Sequence, residues 1–135
     1  MCKRKDSSLC YYCKTQIETI EHLLFDCICV QRFWKDVSMY LQGYLDINQS
    51  LNKKDVIIGV KNSENDKLTN FVFLLVKRYI YVTRCIQKTL NLSAFINMLT
   101  EYCKLELLGA RLKGNMSKFD VKWIPLKSLL LENDM

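Results

Sequence analysis

The sequence predicts a mainly α protein. A small CCHC knuckle, running from Cys10 to Cys27, precedes three long amphipathic helices and an aromatic-anchored C-terminal tail. Two observations predict this fold class. The knuckle holds the chain's single histidine and reads C-x2-C-x8-H-x4-C, and apolar residues beyond it recur at steps of three and four along long segments. Half of the 135 residues are hydrophobic and a quarter are charged, so the chain can form a packed core.

Four parts are predicted along the chain. Residues 1–8 are a polar tail, residues 9–46 are the CCHC module with a Phe-Trp helix, residues 47–127 are a basic helical region, and residues 128–135 are a second tail. The first residues are polar and contain no signal-peptide pattern, and the longest apolar run is far too short to cross a bilayer. We therefore expect an intracellular protein, cytoplasmic or nuclear, without a membrane partner.

The knuckle contains a candidate site for one structural Zn2+, with Cys10, Cys13, His22 and Cys27 as its ligands. Structural zinc takes four tetrahedral sulfur and nitrogen ligands, and a C-x2-C pair folds back on itself to supply two of them. A short helix over residues 19–25 would turn the histidine toward the ion. Four ligands leave no open position for water, and no histidine remains to activate a nucleophile, so we expect no enzymatic activity.

The other cysteines leave one alternative open within this site. The cysteine count of seven is odd and no secretory signal precedes them, which favours metal binding over disulfides. Cys29 follows Cys27 by two residues and could replace it as the fourth ligand, and Cys2 is a remote candidate. The spacing favours Cys27. Cys85 and Cys103 lie on apolar helical segments, where a free cysteine usually packs as a small hydrophobe.

The first long helix is predicted over about residues 29–45, where one face is apolar. Phe33 and Trp34 lie within it, and we expect them to pack on the back of the zinc site rather than to stack on bases. Residues 46–66 are rich in asparagine, serine and lysine. They predict a loop-rich connection with one short apolar stretch at residues 56–58.

Two further helices and a tail complete the prediction. The second long helix spans about residues 67–90, and the third spans about 94–113 with Ser93 as its N-cap and Gly114 at its end. The apolar positions of the third helix are Phe95, Met98, Leu99, Tyr102, Leu105, Leu108 and Leu112. The tail is expected to fold back on the helices through Phe119, Trp123, Ile124, Pro125 and Leu126.

The net charge of +6 is concentrated in the second half of the chain. Residues 77–127 hold ten basic residues against three acidic ones, which favours an anionic partner, most often nucleic acid. A solvated helical surface is the alternative. Lys77, Tyr81, Arg84 and Lys88 lie at offsets of 0, 4, 7 and 11 residues and therefore share one stripe of the second helix. Tyrosines of the knuckle and of this stripe could stack on unpaired bases, which favours RNA over DNA. The candidate nucleic-acid-binding residues are Lys77, Arg78, Tyr81, Arg84, Lys88, Lys104 and Arg111.

These segments together resemble the zinc-binding domain at the carboxyl end of non-LTR (LINE-type) retrotransposon reverse transcriptases. The pattern there is a C-x2-C pair, an E-T-x-x-H-L segment, a closing cysteine and an F-W pair. The matching residues are Cys10-Tyr11-Tyr12-Cys13, Glu18-Thr19-Ile20-Glu21-His22-Leu23, Cys27 and Phe33-Trp34. Weaker similarity continues to about residue 127.

The resemblance implies a fragment of a larger polyprotein whose endonuclease and polymerase domains precede this region. It implies a module that assists the binding of template or target nucleic acid. The clustered aspartates that polymerase chemistry needs for two Mg2+ ions do not occur in this sequence. An alternative role is a protein-interaction module that braces the upstream polymerase domains.

Overall fold

The computed structural model describes residues 8–45, 53–58 and 66–131. Within these ranges the secondary structure comprises a π-helical turn (His22–Asp26) and the helices α1 (Ile28–Leu41), α2 (Lys53–Ile58), α3 (Asp66–Cys85), α4 (Leu92–Lys113) and α5 (Met116–Leu131). Extended pairing in the described part is limited to one antiparallel bridge between Leu9 and Ile17. The predicted mainly α fold is thus confirmed. Cys2, nearly all of the amino-terminal tail and the last four residues lie outside the described ranges.

The connection after α1 differs from its prediction. A short helix, α2, occupies residues 53–58 of the segment that the composition predicts to be loop-rich. Val56 of this helix is almost completely buried, so tertiary packing stabilises a turn whose local sequence favours a loop. The apolar stretch at 56–58 was the only local sign of an ordered element.

The second long helix ends five residues earlier than predicted. Gln87 adopts a left-handed conformation with φ of 58°. Its N–H donates to the Arg84 carbonyl at 3.2 Å, and the Lys88 N–H donates to the Thr83 carbonyl at 3.0 Å. These two bonds form a Schellman motif, which satisfies the last carbonyls of α3. Glycine usually occupies the left-handed position, and its absence here explains why the sequence pattern misses the end.

Helix α4 begins at a different cap from the predicted one and ends where expected. The side chain of Asn91, not of Ser93, accepts the Ala94 N–H at 3.0 Å. At the other end Gly114 is left-handed with φ of 69°, and the Asn115 N–H reaches the Ala110 carbonyl at 2.8 Å. The predicted stop at Gly114 is confirmed, and glycine adopts this left-handed conformation without strain because it has no Cβ.

The cap assignment gives a direct test. Replacing Asn91 with Ala should lower the free energy of unfolding by about 1 kcal/mol, because an orphan helix N–H loses its acceptor. The matched change Ser93→Ala should cost less than about 0.5 kcal/mol, since this side chain is exposed. Urea denaturation of both variants measures the difference. Equal losses would show that the two residues share the cap.

The aromatic-anchored tail is itself a helix, α5, which packs on α4 across the two-residue turn at Gly114 and Asn115. Three of its five predicted anchors are confirmed, since Phe119, Trp123 and Leu126 are buried. Ile124, in contrast, is 65% exposed. Pro125 lies inside this helix, where proline usually disfavours helical structure, so tertiary packing stabilises a helix that the sequence pattern does not indicate.

The face of α4 that the sequence predicts to be apolar is buried only in the first half of the helix. Phe95, Leu99 and Cys103 are buried in the core, which confirms core packing for that cysteine. Cys85 is half-buried and disulfide-bonded, so its prediction as a free packing cysteine is wrong. Three leucines predicted for the same face, Leu105, Leu108 and Leu112, are instead 64%, 55% and 79% exposed. Helix α5 contacts the face of α4 that carries Glu106 and Ala110, so those leucines point the other way. None of the helices, over the residues described, has an apolar stretch long enough to span a bilayer.

Candidate metal centre

The structure brings the four predicted ligands together. The ligand atoms of Cys10, Cys13, His22 and Cys27 all lie within 4.8 Å of one another. The Cys10 and Cys27 sulfurs are 3.8 Å apart, and Cys13 Sγ lies 3.3 Å from His22 Nε2. Zn–S bonds of about 2.3 Å at tetrahedral angles place two sulfurs about 3.8 Å apart. The cluster can therefore hold one metal ion, and the separation of these two sulfurs is the one expected around a tetrahedral ion.

A tight turn positions the first two sulfurs. The Cys10 N–H donates to the Gln16 carbonyl at 2.8 Å, and the Lys14 N–H donates to the Cys10 carbonyl at 2.9 Å. Lys14 adopts a left-handed φ of 58°, which reverses the chain just after the second cysteine. The bridge between Leu9 and Ile17 closes the base of the turn. Two cysteines three positions apart thus face one point.

The helical turn that carries His22 is held at both ends. Thr19 Oγ1 accepts the His22 N–H at 3.1 Å, and Lys53 of α2 forms ion pairs with Glu21 and Asp26 at 2.8 and 2.9 Å. Trp34 Nε1 donates to a carbonyl of the same turn, that of Leu24, at 2.8 Å. The imidazole is therefore presented from a turn anchored to both α1 and α2.

Cys27, rather than Cys29, completes the cluster. Cys27 is fully buried immediately before α1, where the backbone N–H groups of Cys29 and Val30 hydrogen-bond its sulfur. The Cys29 thiol donates instead to the Tyr12 carbonyl at 3.6 Å and lies outside the cluster. The ligand set favoured by the spacing is the one that the structure assembles.

The three thiols lie in different electrostatic environments. Burial raises the pKa of Cys10 to about 11, and burial also raises the pKa of Cys27. Burial acts in the same direction on Cys13, but hydrogen bonds from Thr15 and His22 outweigh it and lower the pKa of that thiol to about 5. Bound metal requires thiolates, so a cation here would displace protons from the two buried sulfurs.

The knuckle is docked on α3 through two polar contacts. The Glu18 carboxylate accepts the Tyr11 N–H at 2.9 Å and also pairs with Arg84, whose Nε and Nη2 lie 3.1 and 3.0 Å from one oxygen. Both side chains of this pair are nearly buried. The Tyr12 hydroxyl donates to the Ile80 carbonyl at 2.6 Å, and burial raises the pKa of that phenol. These contacts fix the Cys3His cluster to the helical core.

The Phe-Trp pair is buried, and Trp34 packs behind the turn that carries His22 as predicted. Trp34 lies against Phe25 of the π-helical turn at a ring separation of 6.5 Å and against Phe73 of α3 at 5.7 Å. Phe33 contacts Tyr79 and Phe95 at 5.4 and 5.9 Å. Both side chains are buried, so neither offers a face to a nucleic-acid base.

The predicted basic stripe is not continuous. Arg84 is 6% exposed and forms an ion pair with Glu18. Its assignment as a phosphate contact is therefore wrong, because its guanidinium charge stabilises the nearly buried Glu18 carboxylate instead. Lys77 is half-buried, donates to the Ile57 carbonyl at 3.3 Å, and has its pKa lowered by burial. Lys88 lies beyond the end of α3. The remaining candidates that are largely exposed are Arg78, Tyr81, Lys88 and Arg111, while Lys104 is half-buried.

Fold and cluster together define the class, a helical protein with a Cys3His cluster near its amino terminus that could hold a metal ion. No protein-family model matches the sequence, and comparison with curated proteins and with solved structures gave no match.

Proposed function

We propose that this chain is a non-catalytic, zinc-dependent nucleic-acid-binding module, similar to the C-terminal zinc-binding domain of non-LTR retrotransposon reverse transcriptases. The observation that carries the proposal is the Cys3His cluster with a sulfur separation of 3.8 Å. Thiolate and imidazole ligands suit zinc, and a tetrahedral site filled by four protein ligands is structural. Zinc would hold the knuckle against α3.

The same arrangement argues against catalysis. The only histidine belongs to the cluster, and among the described residues no other group of cysteine, aspartate and glutamate side chains is placed to hold a metal. A catalytic zinc usually keeps one position open for water. The proposed role of the ion is therefore to stabilise the fold.

Nucleic-acid affinity would come from the helices rather than from the metal. Three thiolates and a neutral imidazole leave a zinc site with a charge of about −1, which repels phosphate. Exposed cations of the basic half, such as Arg78, Lys88 and Arg111, can neutralise phosphates, and Tyr81 offers an exposed ring. The expected partner is RNA in the cytoplasm or nucleus, bound alongside the polymerase domains of a parent polyprotein.

A salt titration of RNA binding tests this proposal. The zinc-loaded chain should bind a short single-stranded RNA with an affinity that falls steeply with salt, the logarithmic slope being about −0.7 per phosphate contacted. Fluorescence anisotropy measures the affinity, with DNA of the same sequence as the control for sugar preference. An affinity that stays constant between low and moderate salt would contradict the electrostatic mechanism.

A protein-interaction module remains the second candidate because three isoleucines near the cluster are exposed. Ile17, Ile20 and Ile28 are 66%, 66% and 63% exposed. Trp34, Phe119 and Trp123 are buried in the chain's own core and therefore cannot contact such a partner. Absence of RNA binding, together with co-purification on a polymerase fragment, would favour this second function.

A further inference from the structure

Helices α4 and α5 form a hairpin, and a basic cleft lies near the turn that joins them, away from the basic residues of α3. We propose that this cleft, between α4 and α5, binds phosphate groups of single-stranded RNA. The inference rests on the proposed nucleic-acid function and names the surface through which it would act. The cleft has a volume of about 320 Å3 and is lined by three lysines, Lys113, Lys118 and Lys122, with Asn115 beside the turn.

Two of these lysines are available to a ligand. Lys122 is already engaged, because its Nζ lies 2.8 and 3.1 Å from the Glu106 carboxylate oxygens and 3.9 Å from the Phe71 ring centre. Lys113 and Lys118 form no ion pair with any residue in the described ranges, and both are exposed. Glu106 neutralises only one of the three ammonium groups, so the cleft retains a charge of +2.

The floor of the cleft contains a glycine that the fold does not require. Gly109 lies inside α4, where glycine is among the least favourable residues. Its φ is not positive, and a Cβ built on it would meet nothing within 4 Å. Neither backbone conformation nor packing therefore demands glycine at this position. Gly109 lines the cleft, and because it has no side chain the helix backbone is accessible at this point.

The chemistry of the cleft fits a phosphodiester backbone. Lysine ammonium groups bind phosphate as point charges and tolerate the varied geometry of a flexible strand. Lys113 ends α4 and Lys118 lies in the first turn of α5, so the two cations approach the cleft from different helices. The carboxylate of Glu106 forms an ion pair with Lys122 and accepts a hydrogen bond from Trp123 Nε1. Its negative charge is therefore compensated, and Lys113 and Lys118 remain to bind an anion.

The test compares paired lysine changes of identical charge. Oligouridylate binding to the zinc-loaded chain should weaken about tenfold in Lys113→Gln/Lys118→Gln, and the logarithmic salt slope should fall by about 1.4, since each lost contact removes about 0.7. The control Lys35→Gln/Lys67→Gln removes two exposed cations outside the cleft and should leave the slope unchanged. Gly109→Met should weaken binding by filling the cleft at constant charge, while Gly109→Ala keeps most of the affinity. Zinc content and circular dichroism of each variant establish that it is folded.

The outcomes separate this inference from the function on which it rests. If wild type binds oligouridylate and the two double variants behave alike, the cleft assignment is overturned and the function stands. If wild type does not bind, the proposed function fails, and NMR titration with inorganic phosphate then examines the cleft itself. A change in the chemical shift of the Gly109 amide would show that the cleft binds anions but would overturn the assignment of RNA as its ligand. An unchanged chemical shift would overturn both the anion site and the RNA assignment.

Discussion

Cys27→Ser is expected to lose the bound zinc and unfold the knuckle, while Cys29→Ser keeps one zinc per chain. The reason is geometric: the Cys27 sulfur lies in the ligand cluster, and the Cys29 thiol points to the Tyr12 carbonyl. A serine hydroxyl is a poor replacement for a buried thiolate ligand. Because structural zinc supplies about 10–16 kcal/mol of apparent binding free energy in small fingers, a lost ligand removes a large share of local stability.

Native mass spectrometry of both variants, expressed with excess zinc, measures the metal content. The two cysteines are two residues apart and carry the same substitution, so Cys29→Ser is a closely matched control. Loss of order should extend to the contacts that dock the knuckle, including the hydrogen bond from Tyr12 to Ile80. Hydrogen exchange can follow this spread along α3.

Retention of one zinc in Cys27→Ser together with its loss in Cys29→Ser would reassign the fourth ligand. A wild-type chain that is folded without metal would contradict the zinc site itself. In that case the 3.8 Å contact between Cys10 and Cys27 would be a hydrogen-bonded thiol pair buried in the core.

The candidate site was predictable because its determinants are local. Two cysteines three positions apart can fold back on one point whatever the rest of the chain does. The spacing from His22 to Cys27 matches one helical turn and the start of α1. Helical periodicity likewise identified the three long helices, since each has a buried stripe over part of its length.

What the sequence could not predict depends on contacts between distant residues. Arg84 shares a basic stripe with its neighbours in the sequence pattern, yet its partner Glu18 lies 66 positions away and turns it inward. The short helix α2 follows from the burial of Val56 in a core built by other elements. The exposure of Leu112 follows from the side on which α5 packs, and helical periodicity alone does not specify that side.

The buried ion pair gives the second large expected effect. Arg84→Gln should lower the free energy of unfolding by about 3–5 kcal/mol, because it removes the guanidinium that pairs with the nearly buried Glu18 carboxylate. The same carboxylate holds the Tyr11 N–H, so the knuckle would loosen from α3 as well. Urea denaturation at neutral pH measures the loss.

Arg78→Gln is the matched control, since Arg78 is exposed on the same helix and should cost less than about 0.5 kcal/mol. The double variant Glu18→Gln/Arg84→Gln should recover part of the stability, because it removes the nearly buried carboxylate charge together with its guanidinium partner. This pattern separates a structural arginine from one that binds phosphate. An Arg84→Gln chain that is as stable as wild type, yet binds RNA more weakly, would return Arg84 to the nucleic-acid surface and contradict the role assigned to the pair.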